Sequence, residues 1–536
     1  MSVDSFDHVI IGGGSAASVL AARLSEDGSR SICVLEAGPP DRNPYIQVPA
    51  GFIKTLFDPR VTWQFQTEPN PATNGRRIQI TQGRTLGGSS AVNGGIYNRG
   101  QGLDFDGWAQ LGNRGWSYAD LLPCFRRTER RIGDGDPEYR GRNGALPVST
   151  PRWDNVLCDA FLKSANACGL PDNPDYNGAR QEGVGRYQAA ILNGRRHSAA
   201  KAFLHPASRR PNVEVRTSAL ASRLELDSRR ITGVHYLTPD GRERLVGARR
   251  GVILAAGVLG SPKLLQLSGI GDPALLAAHG ITVRHALAAV GRNLRDHYSP
   301  RFVWRVRGAD TLNSHVHGLA LVREIWRWWR HRPSVLSLAP ALCHGFGRSD
   351  PALDRPDYSL VFTPASYQQG RIGVLDDFPG MTCGVWQMRP ESLGRVGIVS
   401  ADPRDAVAVD PNYLSDPIDR RTLVAALRRA RQIFATAPIA GYIEAEMLPG
   451  PEAVSDEDLL EFARAYGSSS YHLIGTCRMG LATDPSSVVG PDLAVHGLEG
   501  LMVADASIMP TMPSANTYAA SLMIGEKASD LILGRG

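Results

Sequence analysis

One short stretch constrains this chain more than any other. Residues 6–11 are an apolar run that ends in Gly12-Gly13-Gly14-Ser15-Ala16-Ala17. Such a run reads as a buried parallel strand. Residues 15–25 then carry Val19, Leu20 and Leu24 at helical spacing, and residues 31–36 form a second apolar strand. Strand, glycine turn, helix and strand make a βαβ unit. The turn reads G-x-G-x-x-A. Gly12 permits the tight turn, Gly14 lets backbone approach a pyrophosphate, and Ala17 lets the helix pack close to the strand. The phosphates are expected on the free N–H groups where Ser15 and Ala16 open the helix. Glu36 ends the second strand, 24 residues after Gly12. A carboxylate there accepts hydrogen bonds from adenosine ribose hydroxyls and repels a 2′-phosphate. The unit predicts a dinucleotide site and disfavours NADP, without separating NAD from FAD.

The remaining composition excludes several classes. At 536 residues, with 42% hydrophobic and 21% charged, the chain buries a large core without staples. Its 57 glycines and 36 prolines imply many tight turns and close approaches. The balance of 59 Lys+Arg against 53 Asp+Glu leaves +6, too weak and too scattered to indicate nucleic acid. Seven cysteines contain no C-x-x-C pair, which argues against a disulfide framework or zinc site and for a reducing, cytoplasmic setting. Residues 1–7 lack the apolar region of a signal peptide, and no apolar run is long enough to span a bilayer.

Farther along, residues 37–115 show little periodicity and read as loops. Helices are expected at 116–130, 155–169, 420–436 and 517–533, and strands within 212–227, 231–245, 250–256 and 500–504.

Several separated motifs then appear in a family's order. They are the first turn with Glu36-Ala37-Gly38, the run from Gly83-Arg84 through Gly87-Gly88-Ser89-Ser90 to Val92-Asn93-Gly94, and the stretch from Ala256 to Gly271. Val290–His297, Tyr471-His472 through Gly480, and Asp505-Ala506 with Asn516 complete the set. On these the chain closely resembles the glucose–methanol–choline (GMC) family of FAD-dependent oxidoreductases over nearly its whole length. The resemblance implies an α/β fold: a Rossmann-like FAD-binding domain (1–155, 200–300, 470–536) interleaved with an α+β substrate domain (156–199, 301–469) on an antiparallel sheet. It implies cofactor contacts at Gly12, Gly14, Ser15, Ala16, Glu36, Ala37, Arg84, Gly87, Gly88, Ser90, Asn93, Gly94, Asp505, Ala506, Asn516 and Thr517, with the adenine near Ala221. The glycine–serine loop can turn backbone N–H groups toward an anion. Some relatives attach FAD through a histidine where Val92 stands here, so non-covalent FAD is expected.

The resemblance puts His472 at the catalytic base and Asn516 at its partner position. Alcohol oxidation requires removal of the hydroxyl proton while hydride leaves carbon for flavin N5, and a histidine suits the first task. The Asn516 amide can hydrogen-bond the substrate oxygen. Tyr471 is expected to shape the pocket mouth, and His297 reads as structural. The segment 510–516 looks like that of oxidases of furanic and aryl alcohols, whereas 173–183 looks like that of sorbose, polyethylene-glycol and aliphatic-alcohol dehydrogenases. Primary alcohol to aldehyde is the common expectation, with O2 or a quinone-type acceptor. A hydroxynitrile-lyase-like or other non-redox role with structural FAD is the alternative. Residues 323–332 combine Trp326, Trp328 and Trp329 with four arginines. They suggest either an interfacial membrane contact or a lid helix with its tryptophans packed inward.

Overall fold

The computed structural model describes residues 4–368 and 374–535. The first three residues of the expected leaderless N-terminus, residues 369–373 of the expected substrate segment, and residue 536 lie outside the described residues.

The βαβ unit forms as expected. Strand Ser5–Ile11, helix Ser15–Leu24 and strand Ile32–Leu35 follow one another, and the two strands pair in parallel. They belong to a seven-stranded sheet in which Val213–Arg216, Ile32–Leu35, Ser5–Ile11 and Glu243–Leu254 lie side by side in parallel. Residues 231–245 and 250–256, expected as separate strands, instead lie on Arg230–Leu237 and the single long strand Glu243–Leu254. The long strand serves two neighbours. Its first half pairs antiparallel with Arg230–Leu237, and Val252–Leu254 pairs in parallel with Leu501–Val503. The closing helix Thr517–Leu533 packs on the first helix, where a Cβ on Gly525 would stand 2.7 Å from the Ala16 carbonyl oxygen.

A second, six-stranded sheet runs Ile443–Leu448, Arg301–Val306, Gly380–Gln387, Tyr358–Thr363, Cys343–Gly347, Gly183–Arg186, every pair antiparallel. Strand side chains alternate between faces. Phe302, Trp304, Leu360, Phe362, Met381 and Cys383 enter a core shared with Phe434 of helix Pro417–Phe434, whose ring stacks on Trp304 at 3.7 Å between centroids. The alternate residues Ser299, Arg301, Val303, Val361, Thr363, Thr382 and Trp386 face a cavity. The architecture is thus a mostly parallel α/β unit beside a sheet-and-helix unit, the fold class expected of the family. The hairpin of Gly394–Ile398 and Val407–Asp410 adds Val396, Val407 and Val409 to the core of the first sheet.

Residues 37–115 are more structured than their sequence suggests. They hold the hairpin Thr62–Gln66 with Gln79–Gly83, the short helix Ser89–Val92 and the helix Gly102–Gln110. Their local pattern is weak because their partners are distant in sequence.

Candidate active site

The two glycine-rich loops lie back to back. Gly12 has φ +102°, and a Cβ there would stand 2.4 Å from the Ala255 carbonyl oxygen. Gly88 has φ +52°, and its Cβ would stand 2.7 Å from Gly14 Cα. Only glycine fits at either position. Gly87 N–H donates to the Gly13 carbonyl at 2.7 Å, which locks the loops together.

A cavity of about 970 Å³ opens along this seam. Its lining contains Gly12, Gly14, Ser15, Ala16, Glu36, Ala37, Gly88, Ser90, Asn93, Gly94, Ala221, Asp505, Ala506, Tyr471, His472, Asn516 and Thr517. Two expected contacts do not line it. Gly87 supports the loop from behind, and Arg84 lays its guanidinium on the Trp63 ring, 4.5 Å from the centroid. Val92 does line it.

Glu36 is buried, and its two oxygens accept N–H bonds from Gly13 and Gly38, each at 2.7 Å. Burial pushes its carboxyl up to about 7 despite these bonds. Asp505 performs a bracing role. It accepts Gly257 N–H at 2.9 Å, the Ser261 hydroxyl at 2.6 Å and Ser507 N–H at 2.8 Å, tying the Ala256–Gly271 signature to the C-terminal one.

His472 is held by a chain of bonds. Tyr471 adopts φ +62°, a conformation that bulky side chains rarely take. This bend sets His472 N–H on Asp296 Oδ1 at 2.8 Å. Asp296 Oδ2 in turn accepts the hydroxyls of Ser469 and Tyr413, each at 2.5 Å. On the ring side, His297 Nε2 lies 2.7 Å from the Met388 carbonyl oxygen. A carbonyl can only accept, so His297 carries its proton on Nε2 and presents Nδ1 as an acceptor. His472 Nδ1 lies 2.9 Å from that acceptor, and so holds the second proton. His472 Nε2 is left with its lone pair, 2.9 Å from the Asn516 amide nitrogen, which donates to it. Burial holds His297 down at about 4 and His472 well below the ordinary range, so both rings are neutral at pH 7. His297, expected to be structural, therefore touches His472 directly.

Asn516 precedes helix Thr517–Leu533 but does not cap it, because its amide is engaged by His472. Its Oδ1 is buried and has no hydrogen-bond partner among the described residues. Side-chain-free backbone at Gly12, Gly14 and Gly88 leads to this polar end through one cavity. The glycine-lined part of the cavity fits a flavin dinucleotide. Sequence reasoning missed Arg301, Trp386 and Lys263 in the lining. Arg301 and Trp386 stand in no motif, and the alternation of the second sheet is their signal, whereas Lys263 lies within the Ala256–Gly271 motif but was not singled out.

Two family models, both described as GMC oxidoreductase, match residues 6–299 and 390–525. The chain belongs to this family. This GMC oxidoreductase is accordingly a FAD-dependent enzyme acting on CH–OH donors. It is 40% identical to the oxygen-dependent choline dehydrogenase of Brucella ovis over 99% of this chain and 96% of that one. It is 37% identical to an alcohol dehydrogenase [acceptor] of Pseudomonas putida over 98% and 96%. Among solved structures it resembles pyridoxine 4-oxidase from Mesorbium loti, with TM-score 0.88, 31% identity and 99% of each chain covered. It also resembles a formate oxidase, with TM-score 0.92 and 25% identity over 100% of this chain and 99% of that one.

The Trp/Arg segment lies on helix Gly318–Trp329 and its end. Its tryptophans do not all pack inward. Trp326 and Trp329 are exposed, in line with Leu319 (87% exposed) and Val322 (61%). The buried anchor is Glu324, which accepts Val335 N–H at 3.0 Å and pairs with Arg327 at 3.1 Å. Among the described residues no helix is long and apolar enough to cross a membrane.

Proposed function

We propose that this oxidoreductase converts a primary alcohol to its aldehyde, with His472 Nε2 as the base. The observation that carries this reading is the ordered chain Met388 O, His297, His472, Asn516, which leaves one unprotonated nitrogen in the cavity. When bound, FAD supplies the acceptor for the hydride of the carbinol carbon. His472 takes the hydroxyl proton, and Asn516 positions the oxygen and stabilises its developing negative charge. The cavity-lining residues Gly12, Gly14, Ser15, Ala16, Glu36, Ala37, Gly88, Ser90, Asn93, Gly94, Ala221, Asp505, Ala506 and Thr517 hold the cofactor. Val92 carries no nucleophile, which supports non-covalent FAD. The segments 1–155, 200–300 and 470–536 form the FAD-binding part, and 156–199 with 301–469 the substrate part. Seven free cysteines favour a cytoplasmic protein. O2 or a quinone-type molecule reoxidises the enzyme, and the exposed Trp/Arg helix offers an interfacial contact with a bilayer.

Anaerobic mixing with a panel of alcohols tests the reading. Bleaching of the flavin band near ~450 nm supports it, and no bleaching with any alcohol leaves the lyase-like alternative. His472→Ala should keep FAD and lose flavin reduction by about 10²–10⁴-fold. Repeating the experiment in air with peroxide detection separates oxidase from dehydrogenase. Acid precipitation should release all the flavin.

A further inference from the structure

We infer that the alcohol this enzyme oxidises carries a carboxylate, and that Arg301 receives it. The inference rests on the proposed alcohol oxidation and adds the chemistry of the substrate's far end. Arg301 sits at the start of strand Arg301–Val306, on the cavity face. The segments that carry it and the base are paired. Tyr298 and Ser299 pair with Ser469 and Ser468, three and four residues before His472. The Arg301 guanidinium reaches back to Ser468 and stands near enough to Tyr471, next to His472, for that phenol to feel its charge, so one substrate can span Arg301 and His472 Nε2.

The guanidinium lacks a counterion. Its Nη1 donates to Ser468 Oγ at 2.6 Å, and no carboxylate pairs with it among the described residues. The other cations of the lining are engaged. Arg76 donates to two backbone carbonyls and the Tyr298 hydroxyl, Arg77 to the Thr67 carbonyl beside Glu68, Lys263 to two carbonyls, and Arg404 to Asp402. Arg301 has five N–H donors in a fork matched to two carboxylate oxygens. The same lining also holds Ser470 Oγ, which is buried with no hydrogen-bond partner among the described residues. Gly384 lies opposite on the neighbouring strand, where a Cβ would approach Arg301 Cγ to 3.7 Å, so no side chain covers the site from there. The acidic residues of the described lining are Glu36, Asp405 and Asp505. Glu36 and Asp505 are bound to backbone N–H groups far along the chain, and Asp405 to Ser400. None neutralises Arg301. A half-buried cation without a counterion repels a quaternary ammonium and favours an anion of one charge.

Three alcohols on one frame test this with the holoenzyme: 4-(hydroxymethyl)benzoate, its methyl ester and 4-(hydroxymethyl)phenyl-trimethylammonium. The aliphatic set is 6-hydroxyhexanoate, its methyl ester and choline. Anaerobic flavin reduction should favour the carboxylates. Benzoate and hexanoate, which carry no alcohol, should perturb the bound-flavin spectrum at saturation. Arg301→Ala should raise the KM of the carboxylates about 10–100-fold with little change in kcat, the size of a lost charge-assisted pair. It should leave the esters within a few-fold, and Arg301→Lys should recover part of the loss. Equal or better reduction by esters or cationic alcohols, with no binding of benzoate or hexanoate, would overturn the inference while leaving alcohol oxidation intact. Carboxylate binding that Arg301→Ala abolishes, without flavin reduction by any alcohol, would sustain this site and sink the proposed reaction.

Discussion

At His472 the position of one proton is set by an atom that never meets substrate. The Met388 carbonyl fixes the tautomer of His297, and His297 fixes that of His472. Replacing His297 by Phe removes the acceptor for the His472 Nδ1 proton. The ring can then protonate at Nε2, and kcat should fall about 10–100-fold with KM little changed. His297→Gln, whose amide oxygen can accept the same proton, should retain more activity, and rapid-reaction kinetics distinguish the two. The pH profile belongs to the same pair. Burial and the neighbouring imidazole lower His472, so its unprotonated form persists as pH falls. The acid limb of kcat/KM for an uncharged alcohol should therefore lie below 6.5, the ordinary histidine value. A limb centred at neutral pH would exclude His472 as the base.

At the scale of elements, the glycine turns and the exposed helix make opposite demands. The first turn admits no side chain, because a Cβ on Gly12 would stand 2.4 Å from the Ala255 carbonyl oxygen at φ +102°. Gly12→Ala should cost more than ~1 kcal/mol and yield protein largely free of FAD, read from the ratio of flavin to protein absorbance. Helix Gly318–Trp329 instead presents apolar side chains to the surface: Leu319, Val322, Ile325, Trp326 and Trp329 form one exposed stripe, with Arg323 beside it and Arg330 and Arg332 over the Trp326 ring. Such a face partitions into an anionic interface through apolar area and charge together. Co-sedimentation with phosphatidylglycerol vesicles at low salt should occur, and Trp326→Glu with Trp329→Glu should abolish it. Recovery of the parent protein wholly in the supernatant would refute the contact.

Across the whole molecule, buried charges fix how distant segments meet. Glu129 is fully buried between Arg99 and Arg140, and Arg140 also reaches Asp175. Arg99 Nη1 donates to the Tyr139 carbonyl, and Gly141 N–H to Glu129 at 3.1 Å. Removing the carboxylate leaves the buried Arg99 guanidinium without its counterion and Arg140 with Asp175 alone. Glu129→Ala should destabilise the protein by about 3–5 kcal/mol, measured by denaturant unfolding of the holoenzyme. A loss below 1 kcal/mol would mean that water replaces the carboxylate.

The sequence by itself determined the βαβ unit, because a tight turn, a helix start and an acidic strand end are contiguous and each depends on local backbone geometry. It also singled out His472 and Asn516 through their motifs, and the closing helix at 517–533. Tertiary structure decided what those residues face. The tautomer chain joins His297 to His472 across 175 positions and to Met388 across 91. No local pattern encodes such a meeting. The hairpin Thr62–Gln66 with Gln79–Gly83 was invisible because a long irregular connection, with its own turn at Pro71–Thr73, replaces the short turn that marks a hairpin locally. Strand periodicity assigns Arg301 and Phe302 to opposite faces, but packing of the sheet on helix Pro417–Phe434 chose which face borders the cavity. Likewise Glu324, rather than the tryptophans, anchors the Trp/Arg helix, because its carboxylate found Val335 N–H and Arg327 within the fold.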